Sequence, residues 1–266
     1  MCVIFSCYNA NPPEEDMHNG AESNIDGAGI CWIDNFNTKT AQVSWKKGFK
    51  SDPKEVLAFI KEKNITFPYA IHFRTASIGG KSSELTHPFP ITSQLEDDLE
   101  GSTRRVLMHN GHINSWKDWF TRIMFAAPDQ EIPVGPWSDS RALAAVVNAK
   151  GEGVLSFVME SSRVLILDSL PSVGCKKTDP SSYFRHYGTW IDKKGYSQST
   201  ETWSRSVVCS RNAKWVAPSN GSGILLTSPT VSPKEVDQNC WTVEELDALV
   251  IEIRKEQDEA RMLLGA

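Results

Sequence analysis

The chain has 266 residues, enough for one large domain or two small ones with a substantial buried core. Its net charge of −5 at pH 7 argues against a non-specific nucleic-acid binder, which needs clustered Lys and Arg. Its longest apolar stretches, such as residues 3–5 and 164–167, fall far short of the roughly 20 residues of a membrane span, and no basic leader precedes them.

The cysteines Cys2, Cys7, Cys31, Cys175, Cys209 and Cys240 form neither a C-x-x-C pair nor a zinc-site spacing. Reduced thiols, no metal and a cytoplasmic location are therefore expected. Residues 3–8 are apolar and β-branched and predict a buried strand, followed by short strands at 29–33 and 41–45. Ser51-Asp52-Pro53 opens a helix whose apolar face is Val56, Phe59 and Ile60. Strands are predicted at 67–73 and 105–108, then a helix over 115–126 with Trp116, Trp119, Phe120 and Ile123 at helical spacing. Ser138 caps a helix through Arg141, Leu143, Val146 and Val147, and residues 154–159 and 163–167 read as a strand pair around Ser161-Ser162.

Beyond residue 169 the pattern weakens. Strands are readable at 183–190 and 196–208, residues 218–234 have the composition of a linker, and Thr242 with Glu245 forms a capping box for a terminal helix within 236–266. No internal repeat is visible. Strands and helices come in blocks rather than in strict alternation, which favours α+β over a doubly wound sheet.

Four constellations carry chemistry. Cys2 follows the initiator Met1; removal of that Met leaves a thiol and a free α-amine on one residue, a nucleophile with its own base, since such an amine titrates near pH 8. The plainer reading is a small hydrophobe opening a strand. Arg74, in His72-Phe73-Arg74-Thr75-Ala76-Ser77-Ile78-Gly79, can grip a carboxylate through parallel hydrogen bonds, or serve as a surface salt-bridge partner. His109-Asn110-Gly111 reads as a hairpin turn or as an oxyanion hole built from the Asn110 amide and the Gly111 N–H. Ser138-Asp139-Ser140 reads as a helix start with an acidic first turn, or as an aspartate that receives an ammonium.

Together and in this order the four segments resemble the class II glutamine amidotransferases, the N-terminal-nucleophile glutaminases. Asn24-Ile25-Asp26-Gly27-Ala28-Gly29 is similar to the Asp-Gly-x-Gly segment of the small stand-alone members, and Thr86-His87-Pro88-Phe89 to their His-Pro-Phe element. The likeness covers residues 2–167 of an expected domain at 2–235. It implies a four-layer αββα sandwich and no cofactor. It also implies that Cys2 attacks the glutamine side-chain amide with its α-amine moving the proton, that Asn110 and Gly111 hold the oxyanion, that Arg74 and Ser77 take the α-carboxylate, and that Asp139 takes the α-ammonium. His72 would support the loop. Glutamate and ammonia would be the products, the ammonia passing to a separate synthetase subunit; a γ-glutamyl amidase acting on a conjugate is the alternative, and a non-catalytic interaction module the third.

The sequence departs from that pattern at Val3, where glycine is common, at Ile78, where histidine occurs, and at Arg141, where glutamate commonly follows Asp139. The Arg141 change is expected to alter what the pocket accepts. After residue 170 there is neither a phosphate loop nor a dinucleotide fingerprint, so nothing activates an acceptor within this chain. The terminal helix, with Val243, Leu246, Leu249 and Ile253 on one face, is a candidate docking or homo-oligomerisation element, with packing on its own domain as the alternative.

Overall fold

The computed structural model describes residues 2–92, 98–113, 116–125, 135–157 and 162–200. In chain order the elements are β1 (Val3–Cys7), α1 (Glu14–Ser23), β2 (Ala28–Asp34), β3 (Gln42–Phe49), α2 (Pro53–Glu62), β4 (Tyr69–Phe73), β5 (Phe89–Pro90), β6 (Glu100–Thr103), β7 (Arg105–Asn110), α3 (Trp116–Phe125), α4 (Asp139–Lys150), β8 (Arg163–Asp168), β9 (Phe184–Tyr187), β10 (Ile191–Lys193) and β11 (Tyr196–Gln198). One sheet runs β10-β11-β1-β4-β2-β3-β6 and the other β5-β7-β8-β9. Every pairing in them is antiparallel, so the protein is a mixed α and β structure without the parallel ladders of a doubly wound sheet.

Strand β1 is buried along its whole length, which explains why its sequence shows no polar alternation. Val3, Phe5 and Cys7 join Met17 and Ala21 of α1, Val56 of α2, and Ile71 and Phe73 of β4 in one apolar cluster. Ile4, the residue between them, faces the other way and packs with Val106 and Met108 of β7 and Leu165 and Leu167 of β8. Leu107, Val164 and Ile166, on the far face of the second sheet, pack with Trp116 and Phe120 of α3 and with Leu143, Val146 and Val147 of α4. A fully buried side chain of this size contributes about 1.5–3 kcal/mol. That burial, rather than the propensity of ten- to twelve-residue helices, holds the elements together.

The helix signals operate as the sequence suggests. The Asp52 carboxylate accepts from the Lys54 N–H at 2.9 Å with Pro53 in the first turn of α2, and the Ser138 hydroxyl accepts from the Arg141 N–H at 3.2 Å at the start of α4. Helix α4 ends at Gly151, whose φ of +79° suits glycine and whose N–H returns to the Val147 carbonyl at 2.9 Å. Helix α1 carries little periodic signal because Met17, Gly20 and Ala21 are the residues it buries.

The strand expected at 154–159 is a correction. Glu152–Phe157 forms a short 3-10 helix instead. Leu155 is drawn into the cluster under α4, while the Glu152 carboxylate is fixed by Arg105 at 3.0 Å and by Arg185 and Tyr187. Residues 158 and 159 lie outside the described residues, as do 201–208, the linker at 218–234 and the helix within 236–266. Among the described residues no helix is long and apolar enough to cross a membrane.

Two glycines connect distant parts of the chain. A Cβ on Gly27, where φ is +118°, would meet Thr86 Cγ2 at 2.6 Å, and a Cβ on Gly29 would fall 1.9 Å from the His87 carbonyl oxygen. The register of β2 against β3 shifts between Ala28 and Gly29, where the His87 backbone approaches. Asp-Gly-x-Gly and Thr-His-Pro-Phe are thus two sides of one backbone contact. Gly29→Ala forces that contact apart and should destabilise the fold by about 1–3 kcal/mol; a urea midpoint unchanged from the parent would show that the His87 segment yields freely.

Candidate active site

Sheet register places the nucleophile candidate. Val3 lies opposite Phe73 in the β1–β4 ladder, so Cys2, one residue before, comes alongside Arg74 and Thr75, one and two residues after. The Thr75 N–H donates to Cys2 Sγ at 3.4 Å and the Thr75 carbonyl lies 3.5 Å from the same sulfur as acceptor of its S–H. Burial pushes the Cys2 thiol above its ordinary pKa; the Thr75 N–H and the Arg74 charge oppose this, and Asp139 adds to it. The free thiol is therefore held in its protonated, weakly nucleophilic form.

The segment after β4 folds around its own arginine. Arg74 Nη2 donates to the carbonyls of Ile78 at 3.2 Å and Gly80 at 2.8 Å, while Nη1 is buried with no hydrogen-bond partner among the described residues. The backbone is pinned on the other side by the 24–27 loop, through Arg74 N–H to Gly27 O at 2.8 Å and Asp26 N–H to Arg74 O at 2.9 Å. Asp26 also accepts from the Ala76 N–H at 2.9 Å and meets Lys81 at 2.8 Å. Partial burial works against its charge, but Lys81 and the Ala76 N–H hold the Asp26 carboxyl below its usual range.

Strand β7 delivers the second wall. His109 holds Ser140 through Nδ1 at 2.9 Å and Ser162 through Nε2 at 3.0 Å. Gly111 follows in a space that admits no side chain, since a Cβ there would lie 2.3 Å from Ser162 Oγ and 2.8 Å from His109 Nε2. At the start of α4, Asp139 accepts from the Ser140 N–H at 2.8 Å and from the Ile113 N–H at 3.0 Å, so its charge is steadied by the helix start and by the loop after Gly111.

Cys2, Arg74, Ser77, Gly111 and Asp139, drawn from four segments of the chain, line one cleft. The Asn110 side chain does not. It is buried with Nδ2 donating to Ser199 Oγ at 2.9 Å, while the same hydroxyl accepts from the Ile4 N–H at 3.0 Å. Arg141 is not among the residues that line the cleft: its guanidinium sits 5.2 Å from the Trp137 ring and donates to the Pro136 carbonyl at 2.5 Å. His72 stands behind the lining, stacked on His87 at 3.9 Å between ring centroids, with Nε2 3.3 Å from the His109 carbonyl.

Sequence reasoning assigned no role to several groups of the site. Thr75 makes both contacts to the Cys2 sulfur, and its hydroxyl donates to Asn24 Oδ1 at 2.7 Å, tying Cys2 to the end of α1. Ser199 sits where periodicity is faint. His87 stands inside the Thr-His-Pro-Phe motif, yet only the fold shows that it lines the cleft. Burial pushes His72 down to about 3, and burial together with basic neighbours holds His87 well below its ordinary value, so both are neutral at pH 7. Among the described residues no group of three His, Cys, Asp or Glu side chains is placed to hold a metal ion.

No protein-family model and no curated protein matches the chain. Among solved structures, it is similar to glutamine phosphoribosylpyrophosphate (PRPP) amidotransferase from B. subtilis complexed with ADP and GMP, with 17% identity and a TM-score of 0.40 over 64% of this chain and 35% of that one. It is also similar to a structure described as the allosteric regulatory enzyme of purine biosynthesis, with 18% identity and a TM-score of 0.42 over 64% of this chain and 36% of that one. The chain spans about a third of the length of these proteins.

The buried thiol leads to a measurable consequence. At pH 7.5 iodoacetamide should alkylate Cys2 at least about tenfold more slowly than exposed Cys175, and the rates should converge as rising pH ionises the buried thiol. Peptide-resolved mass spectrometry reads both sites. A Cys2 that reacts first at neutral pH would contradict the desolvated environment described here.

Proposed function

We propose that this protein is an N-terminal-nucleophile amidohydrolase of the class II glutamine amidotransferase kind, acting in the cytoplasm on the side-chain amide of glutamine. The observation that carries the reading is the convergence of Cys2, Arg74, Ser77, Gly111 and Asp139 on one cleft. The lining brings a thiol, a cation and an anion into one cleft, the set of groups that can grip a zwitterionic amino acid at both charges while its side chain meets the sulfur. The apolar clusters on both sides of each sheet support reading the architecture as the four-layer αββα sandwich that goes with this chemistry.

In this reading removal of Met1 frees the Cys2 α-amine. The amine takes the thiol proton as sulfur attacks the amide carbon, and the carbonyl oxygen gains the negative charge. The Gly111 N–H and the Asn110 amide, released from Ser199, receive that oxyanion. Collapse breaks the C–N bond, the amine returns its proton to the departing nitrogen, and ammonia leaves a thioester on Cys2. Water then adds to the thioester with the amine again taking a proton, and loss of the thiolate gives glutamate. In this reading the ammonia passes to a separate synthetase subunit.

The test is a chain in which one uncleaved alanine precedes Cys2, which should release no glutamate above background while the parent, beginning at Cys2 by intact mass, does. Full activity of the extended chain would rule out the N-terminal mechanism. If the parent instead hydrolyses a γ-glutamyl conjugate far faster than glutamine, the nucleophile stands and the substrate is the conjugate.

Binding and chemistry separate by mutation. Arg74→Ala and Asp139→Ala should raise KM, each by the equivalent of about 2–5 kcal/mol for one lost charge partner. Asn110→Ala should lower kcat by about 10²–10³. A raised KM with unchanged kcat in Asn110→Ala would place that amide outside the oxyanion hole.

A further inference from the structure

His87 is a buried polar side chain, 3% exposed, whose two ring nitrogens have no hydrogen-bond partner among the described residues, and it lines the cleft that holds Cys2 and Arg74. An unpaired buried imidazole costs stability, so its persistence calls for a partner that arrives from the cleft. The Nη1 of Arg74 is orphaned in the same way. Two unsatisfied donors therefore border one shielded space. Packing fixes the ring: His72 stacks on it at 3.9 Å, Phe89 meets it at 4.8 Å between centroids, and its carbonyl rests against Gly29, where a Cβ would lie 1.9 Å away.

The surroundings say what kind of partner is missing. The groups that bear most on the His87 ring are His72 and Arg74 on and after β4, His109 of β7 and Lys47 of β3, and no acid is among them. Lys47 is itself held by the Glu84 carbonyl at 2.7 Å and lies over the Phe89 ring at 5.0 Å. The cleft lining thus carries an anion at Asp139, a cation at Arg74 and a neutral imidazole at His87. A neutral imidazole cannot neutralise an anion, but it has one N–H to give. That N–H and Arg74 Nη1, on two residues that line the same cleft, make two donors for the two oxygens of a carboxylate.

We propose that His87 is a substrate-binding residue that shares the substrate α-carboxylate with Arg74. This rests on the reading of the cleft as a site for a glutamine-like zwitterion, and it makes the Thr-His-Pro-Phe segment part of substrate selection. The Gly29 contact then acts as a positioning device, holding the ring where the carboxylate docks. Substrates whose α-carboxylate is masked lose the His87 contribution as well as that of Arg74.

The test compares glutamine with its α-carboxamide analogue as substrates of the parent, His87→Phe and His87→Gln proteins. His87→Phe keeps a ring for the His72 stack and removes both nitrogens, whereas His87→Gln keeps an N–H. For glutamine, His87→Phe should raise KM about 10- to 100-fold at nearly unchanged kcat, with partial rescue by His87→Gln, and kcat/KM for the carboxamide should be unchanged by either substitution. Equal losses for both compounds, or a fall in kcat with KM intact, would overturn the proposal. A measurement without substitution at His87 stands beside it: in Cys2→Ala protein labelled with ¹⁵N-histidine, glutamine should shift the His87 ring resonances, and binding without such a shift would overturn the proposal even if His87→Phe fails to fold. If the parent hydrolyses glutamine while His87→Phe matches it, only the His87 assignment falls. If Cys2→Ala binds no glutamine and the parent hydrolyses none, the reading of the cleft falls with it.

Discussion

The antiparallel pairing of β1 with β4 is the constraint from which the site follows. Val3 opposite Phe73 brings Cys2 against the Thr75 backbone, where the sulfur is shielded from water and contacted by both an N–H and a carbonyl. A thiol so placed is reluctant to ionise. The same register carries Arg74 past the end of the strand, where the loop closes around its guanidinium and leaves Nη1 unpaired.

Charges of both signs line the cleft. Asp139 is held at a helix start by two backbone N–H groups, while Arg74 is countered from outside by Asp26, itself latched by Lys81. The histidines between β4 and β7 remain neutral because burial forbids their charged form. The result is a cleft lined by charges of both signs and by polar but uncharged histidines.

Much of the architecture was legible in the sequence where a signal is local. The Asp52-Pro53 and Ser138 caps start helices where expected, and the apolar runs at β1, β7 and β8 form strands. Elements whose identity depends on distant partners were not legible. Residues 154–159 look like a strand by composition, yet Glu152 meets Arg105, Arg185 and Tyr187 and residues 152–157 coil. Helix α1 buries too few apolar side chains to leave a period. At the site, Cys2, Arg74, Gly111 and Asp139 could be picked out by residue type and order, but the burial of the Asn110 amide against Ser199 and the arrival of the His87 ring in the cleft are products of tertiary packing over 89 residues in the first case and of two glycines in the second.

The central claim is that Cys2 is an N-terminal nucleophile awakened by a glutamine-shaped ligand. Its most direct measurement is the intact and peptide mass of the protein after incubation with 6-diazo-5-oxo-L-norleucine, a glutamine analogue whose diazoketone alkylates a thiolate placed at the amide position. The account predicts one adduct, on Cys2, in a chain that has lost Met1, with labelling suppressed by glutamine. An unmodified Cys2, a retained Met1 on a labelled chain, or labelling that glutamine does not compete would contradict it.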